Sequence, residues 1–407
     1  MIGCCAWLKF LSPLLTADNF KMARSVLELP GLRLVSKSKN QAFNFRRLIA
    51  PAILGSLYAV NSPAFAEPFY DLRVLATKGG EVYAINNSDQ AVGYTCTGSC
   101  VGTVWNGTTP TQLGLFIGYS NPAFGINNNG IAVGWAESPS SVYVQNAVSW
   151  NGTSPTLLGK LSGGSGSAAY DINDSGQAVG WSAFVRGGNH ATIWNGTSPI
   201  DLGTLASSNH SSLANAINNN GLVVGYSGTY SGYNHATLWN GSSKTDLGTL
   251  GGSESYAYDI NDLGQIVGYS RTYSGQFHAT LWNGTSMTDL SPEGTWSYAY
   301  GVNNLGQIVG DSSSGSDSYA TLWFGAATIN LNTYLSSADA AQWLLTSAVD
   351  INDNGSILGK AYNRFTGEFA GFVLSKAQTP ASVPAPATTA LIALGMAGIA
   401  AARRKSA

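Results

Sequence analysis

Charge is scarce in this chain. Asp, Glu, Lys and Arg make up only 10% of its 407 residues, and basic charge is scarcer still away from the ends. Between Glu67 and Lys376, nine Lys and Arg face twenty Asp and Glu, a net charge of −11. Such a field repels phosphate backbones and excludes nucleic acid as a partner. There is no phosphate-cradling glycine loop, no dinucleotide fingerprint and no Ser/His/Asp constellation. Cysteine is limited to four residues. Long apolar runs occur only near the two ends. What is abundant is Gly (49), Tyr (19) and Trp (11), a composition of short strands, tight turns and packed aromatics rather than long helices. An all-β class is expected.

The ends read as address labels. Arg46 and Arg47 precede the apolar run 48–60, which is followed by Ala64-Phe65-Ala66. This is the order of a secretory signal peptide, with cleavage after Ala66 at the small residues Ala64 and Ala66. The run is too short for a membrane anchor. Forty-five residues ahead of it make an overlong leader, which points to a mis-assigned upstream start with Met22 as an alternative. Cys4 and Cys5 fall in this leader and are expected to be absent from the mature protein. At the other end, residues 377–386 form a Pro-rich linker ending in Val383-Pro384-Ala385-Pro386. Sixteen mostly apolar residues, 387–402, then lead into Arg403-Arg404-Lys405. As a helix of about 1.5 Å per residue this run reaches only ~24 Å against a ~30 Å hydrocarbon core. It predicts transient membrane contact rather than a permanent transmembrane helix.

The layout of proline motif, short apolar helix and basic cluster resembles the PEP-CTERM sorting signal of Gram-negative bacteria. Ala385 stands where the typical motif has Glu. The resemblance implies export to the outer cell surface or beyond, and processing by an exosortase-type protease that acts on segment 377–407.

Self-similarity fills the region between. Ile-Asn or Val-Asn followed by a turn recurs at Ile85, Ile126, Ile172, Ile217, Ile260, Val302 and Ile351, with spacings of 41, 46, 45, 43, 42 and 49 residues. The fifth unit shows four short runs, 256–261, 265–269, 278–282 and 288–290. All are rich in β-branched and aromatic residues and bounded by turn formers. Trp-Asn-Gly recurs at Trp105, Trp150, Trp194, Trp239 and Trp282, and Asn-Gly supplies the positive φ angles of a tight hairpin. The other turn ends in Gly, except that the first repeat has Asp89 there. Seven repeats of four antiparallel strands predict a seven-bladed β-propeller over residues 67–376. The last repeat lacks a fourth strand, and Tyr70 to Leu75 offers a spare one that would complete it and remove an open edge. A β-solenoid would need no such return strand.

The units Asp-Leu-Gly-Thr-Leu-Gly-Gly at 246–252, Ala-Tyr-Asp-Ile-Asn-Asp at 257–262 and His-Ala-Thr-Leu-Trp at 278–282 resemble the HAF repeat of bacterial extracellular proteins. Thr192, Thr237 and Thr280 replace the Phe that names it. The resemblance covers roughly residues 69–374 and implies an extracellular location without a catalytic residue.

With the Ile-Asn strand nearest the axis, both tight turns fall on one face and the longer connections on the other. The long connections carry Tyr230, Tyr233, Tyr273, Phe277 and Trp296. These are large rigid contact surfaces with polar handles, suited to extracellular polysaccharide or a matrix protein. Packing between blades is their alternative role. Asp350, Asn352 and Asn354 open like a calcium loop, as do the runs at Asp171 and Asp259. The twelfth position is Ala361, however, so a turn is expected, with weak calcium binding as the alternative and no other cofactor or metal. His190, His235 and His278 share one position in adjacent repeats, which suggests a repeated structural hydrogen bond. Cys96 and Cys100 are placed for a disulfide that closes a hairpin. The Asn-Gly-Thr/Ser triplets are formal glycan acceptors fully explained as turns.

The expected function is therefore a non-enzymatic binding or structural component of the extracellular polysaccharide or biofilm matrix. The alternative is a propeller glycoside hydrolase or lyase using axial carboxylates from Asp171, Asp259 and Asp350. The mature protein is expected to begin at Glu67. N-terminal sequencing of the exported chain checks this, and any other first residue refutes cleavage after Ala66.

Overall fold

The computed structural model describes residues 70–377, except 78, 115–119, 139–140, 186–187, 208, 285, 292–294 and 316. The export signal with Ala64 and Ala66, and the tail with Pro384, Ala385, Pro386, Arg403 and Arg404, lie outside the described residues.

Twenty-eight strands form seven four-stranded antiparallel sheets. Strand β1 (Tyr70–Leu75) comes first. Strands β2–β25 then make six blades spanning 81–112, 123–157, 167–201, 212–246, 251–289, 297–330. Blade 7 consists of β26 (Trp343–Ile351), β27 (Ile357–Asn363) and β28 (Phe369–Lys376), with β1 as its outermost strand. Leu72 pairs with Leu374 and Leu75 with Gly371, so the chain start closes the ring as its pattern predicts. The only described helices are a 3-10 turn, Leu331–Tyr334, and a six-residue helix, Ser337–Gln342, both between blades 6 and 7.

Blades are glued by an apolar layer that repeats around the ring. Between blades 4 and 5, for example, Ala216, Val224 and Ala236 meet Ala257, Ile260, Ile266 and Trp282. Trp105, Trp150, Trp194, Trp239, Trp282 and Trp323 are all buried at the same register, and Leu374 takes that place in blade 7. A buried aromatic of this size removes about 150–250 Å² from water. That makes each Trp a main contributor to its junction.

The inner strands are not regular. In every blade the register of the innermost strand slips by one residue, at Tyr83, Phe124, Tyr170, Asn215, Tyr258, Tyr300 and Val349. A β-bulge of this kind bends the strand and re-aims side chains. It also pushes the inner strand's backbone toward its neighbour, which explains the Gly that follows Val or Leu in each second strand. A Cβ added at Gly93, Gly134, Gly180, Gly225, Gly268, Gly310 or Gly359 would fall inside the carbonyl oxygen of the inner strand.

Two polar rings run around the axis at the tight-turn face. Asn86, Asn127, Asn173, Asn218, Asn261, Asn303 and Asn352 each donate Nδ2–H to the backbone carbonyl of the equivalent Asn in the next blade. The seventh bond returns to Asn86, so the circle closes. Beside it, the residue after each Asn donates its backbone N–H to the side-chain oxygen of its counterpart in the next blade, again seven times. At the closing junction Asp89 adopts φ 58° where other blades have Gly. Its carboxylate accepts from Arg73 of β1 and Asn352 of blade 7, which offsets the cost of that backbone conformation.

Gly268→Ala is expected to destabilise the protein by about 3 kcal/mol, because the clash is with backbone and cannot relax through a side chain. Asn261→Ala is expected to cost about 2–4 kcal/mol, since it orphans a buried carbonyl and two turn N–H groups. Urea unfolding measures both, and a change below about 0.5 kcal/mol in either would refute its assigned role.

Candidate binding site at the propeller axis

The bulge decides what faces the axis. On the loop face, the bulged residues Tyr83, Phe124, Tyr170, Tyr258 and Tyr300 come from five different blades and line one cavity of about 500 Å³. Their rings touch edge to face or tilted: Tyr83 to Phe124 at 4.8 Å, Phe124 to Tyr170 at 5.3 Å, and Tyr258 to Tyr300 at 5.5 Å. Asn215 and Val349 occupy the two remaining positions. A second tier stands behind, one residue past each Val-Gly: Tyr94, Trp135, Trp181, Tyr226 and Tyr269. Asp311 and Lys360 take these positions in blades 6 and 7.

The polar tips are held. The Trp181 indole donates to the Tyr170 hydroxyl at 3.2 Å, and the Tyr83 hydroxyl donates to Glu81 at 2.9 Å. Burial raises the phenols of Tyr83, Tyr269 and Tyr300 far above their ordinary value and pushes Tyr258 up to about 12. The vestibule therefore presents neutral hydroxyls. Asp311 is pushed up to about 6 by burial, against hydrogen bonds from Ser347 and Tyr300 and the nearby Lys360. Lys360 pairs with Glu81 at 3.1 Å.

The cavity at the opposite mouth is smaller, about 170 Å³, and polar. Asp171, Asp259 and Asp350 lie there, and each uses both carboxylate oxygens on backbone. One oxygen accepts from the next residue in its own strand (Ile172, Ile260, Ile351), the other from the next blade's inner strand (Ile217, Val302, Ile85). Gly125 and Gly301, in the preceding blades, leave room where a Cβ would press on Asp171 and Asp350. These carboxylates keep some surface open to the channel, yet protein surrounds them. Burial raises all three, Asp259 to about 8 with help from the Asp350 charge and Asp350 to about 7.

Other sequence-singled residues fall elsewhere. Tyr230 and Tyr273 stand exposed (81% and 93%) at hairpin tips of identical Thr-Tyr-Ser-Gly sequence, and Tyr233 and Trp296 are also exposed. None of these lines the vestibule. Phe277 is half-buried instead, packed against Tyr269 and Trp296 under the Arg271 guanidinium. This is the inter-blade role. Asn352 spends its Oδ1 on the N–H groups of Asn354 and Ser356, and Asn354 donates to Asn87. With Asp350 they form a turn and a blade staple. Among the described residues no group of three or more acidic, His or Cys side chains could hold a metal ion. His190, His235 and His278 each bond a carboxylate of the outer strand, Asp201, Asp246 and Asp289, at 2.7–2.9 Å. Cys96 and Cys100 are joined by a disulfide. Cys100 also lines a side pocket of about 250 Å³ that shares Tyr83 and Phe124 with the vestibule.

Fold and terminus together define the class: a seven-bladed propeller in an exported protein that carries a C-terminal sorting signal. Residues 382–405 match the PEP-CTERM protein-sorting motif, and among the described residues no helix is long and apolar enough to cross a membrane. No curated protein matches the chain. Among solved structures it is similar to the β-propeller domain of the trilobed protease from Pyrococcus furiosus, with 8% identity over 74% of this chain and 96% of that one and a TM-score of 0.48. A puromycin-hydrolyzing peptidase of Mycobacterium tuberculosis has 10% identity over 76% and 54%, TM-score 0.45. The Aleuria aurantia lectin has 12% over 77% and 100%, TM-score 0.31. With TM-scores below 0.5, none of these likenesses bears on the role of this chain.

Asp259 and Asp350 bind protons more tightly in the fold than in an unfolded chain, where a carboxyl titrates near about 4. At these two groups the native state thus holds extra protons between about pH 4 and about 8, and their contribution to stability is highest below that window and falls as pH rises through it. Asp259→Asn is expected to flatten the decline of Tm between about pH 5 and 9, while lowering Tm at the acid end because the NH2 end of the amide has no lone pair for the N–H that the second Asp259 oxygen accepts. A Tm profile parallel to that of the parent would refute the assignment.

Proposed function

We propose that this protein is a non-enzymatic, exported polysaccharide-binding protein of the extracellular matrix, and that it binds in the axial vestibule of the loop face. The observation that carries the reading is the ring of Tyr83, Phe124, Tyr170, Tyr258 and Tyr300 around one cavity. Aromatic faces offer apolar contact to the C–H side of a sugar ring, and neutral phenols offer hydrogen bonds to its hydroxyls. The sparse charge among the lining residues, Asp311 and Lys360, suits a mostly uncharged ligand. A binding rather than hydrolytic role is supported by the carboxylates of Asp171, Asp259 and Asp350, which are committed to backbone on the far mouth. The kinship with HAF-repeat proteins, the outer surface of a Gram-negative cell as location, and an exosortase-type protease acting on the tail belong to the same proposal. The sorting motif at 382–405 supports the export and the processing of the tail, and the kinship rests on the repeat units at 246–252, 257–262 and 278–282.

Purified chain spanning 67–376 is expected to be retained by the producer's own extracellular polysaccharide. Tyr258→Ala and Tyr170→Ala should each weaken binding about tenfold, as expected for roughly 1.4 kcal/mol of lost stacking. Tyr230→Ala and Tyr273→Ala should leave it unchanged. Retention no greater than that of a control protein, or loss on the tip substitutions alone, overturns the vestibule as the site.

A further inference from the structure

Blade 7 is the one blade that gives the vestibule an aromatic at neither its bulged nor its second-tier position, and a second cavity lies beside it. In blades 1–5 the residue after each Val-Gly is Tyr or Trp; in blade 7 it is Lys360. The bulged position of that blade is Val349 rather than a Tyr or Phe. Next to this gap, between blades 7 and 1, lies a cleft of about 710 Å³ whose walls include Gly80, Glu81, Tyr94, Lys360, Glu368 and Phe369. The cleft and the vestibule share Lys360, and the cleft and the side pocket share Tyr94. The three spaces are thus neighbours around one set of side chains.

The cleft is kept open by sequence. The connection from β1 to blade 1 is only residues 76–80 and ends in Gly79-Gly80. Gly80 is pressed so close to the Tyr94 carbonyl that no side chain fits there. On the opposite wall Phe369 is 64% exposed and its ring rests tilted against Tyr362 at 5.3 Å, an apolar surface offered to solvent. The local charge is acidic: Lys360 is matched by Glu81, which leaves Glu368 in the cleft and Asp311 in the vestibule, within a propeller of net charge −11.

We propose that the ligand is an extended glycan chain rather than a chain end, and that it passes from the vestibule over Lys360 into the blade 7–blade 1 cleft. There a second subsite, built on Phe369, Tyr94 and Glu368, takes further neutral or cationic sugar units. This rests on the vestibule being a sugar site, and it adds the path, the length and the charge class. Polyuronates are disfavoured because their carboxylates would meet Glu368 and Asp311, while Lys360 is already paired with Glu81.

Calorimetric titration of the full exported chain tests this with three oligomer series of two to six units: neutral β-glucan, glucosamine and galacturonate. Affinity is expected to rise at least tenfold from dimer to hexamer for the neutral or the glucosamine series and to stay flat for galacturonate. The double variant E368K/F369A changes only exposed side chains. It should abolish the rise while leaving dimer affinity at the parent value, whereas Tyr258→Ala weakens dimer and hexamer alike. A hexamer no tighter than its dimer, a rise that survives E368K/F369A, or galacturonate binding as tightly as the neutral series overturns the path, although the vestibule stands. If no oligomer binds, the vestibule reading falls and the path falls with it.

Discussion

The circle of seven asparagine side chains is the constraint on which the rest of the structure depends. A propeller must fix the angle between neighbouring blades so that the last meets the first, and an apolar layer of Ala, Val, Ile and Trp can slide by small amounts at little cost. Hydrogen bonds cannot. Each Asn Nδ2–H reaches one carbonyl in the next blade, while its Oδ1 accepts from its own turn, as Asn218 does from the N–H groups of Asn220 and Leu222. The same side chain therefore shapes the turn and sets the blade spacing. With seven links closing on Asn86, an error at one junction has to be absorbed by the other six.

The second ring adds an electrostatic rule. The residue after the Asn is Asp in blades 3, 5 and 7 and Asn in blades 1, 2, 4 and 6, so no two of these carboxylates are neighbours around the circle. The inner-strand aspartates Asp171, Asp259 and Asp350 fall on the same odd blades, with Gly or Ala between them. Alternation lets each carboxylate take N–H groups from a neighbour that carries no charge, and it limits like-charge repulsion in a channel where screening is weak. Six acidic side chains are gathered at this mouth, yet their oxygens are largely occupied by the backbone they tie together.

Much of this architecture was legible in the residues. The Ile-Asn spacing gives blade count, Asn-Gly gives hairpins, and the unmatched Tyr70–Leu75 strand gives closure, because these are local or periodic signals. The vestibule was not legible, although its residues were in plain view. A strict period of two puts Tyr258 and Ile260 on the same side of the strand, which marks both as core. The bulge breaks that parity, and Ile260 stays buried while Tyr258 turns to the axis. A signal did exist: a Gly fixed opposite one position in all seven units, which reports a backbone pushed out of line. The loop aromatics stand out more in the sequence because exposure is easier to infer than direction, and Phe277 shows how a loop-edge ring can be taken inward by its neighbours.

Closure by β1 also decides how the molecule carries load. Residues 70 and 376 are paired, so both ends of the propeller leave at the tight-turn face, opposite the vestibule. A chain tethered through the segment after Ala377 turns its vestibule away from the tether. Tension on that tether pulls β28 along its own length, between β27 on one side and β1 on the other. Its bonds to both neighbours are then strained in parallel and must yield together. Had the chain ended on the outermost strand, the same pull would have met a strand bonded on only one side, with about half as many bonds to share the load.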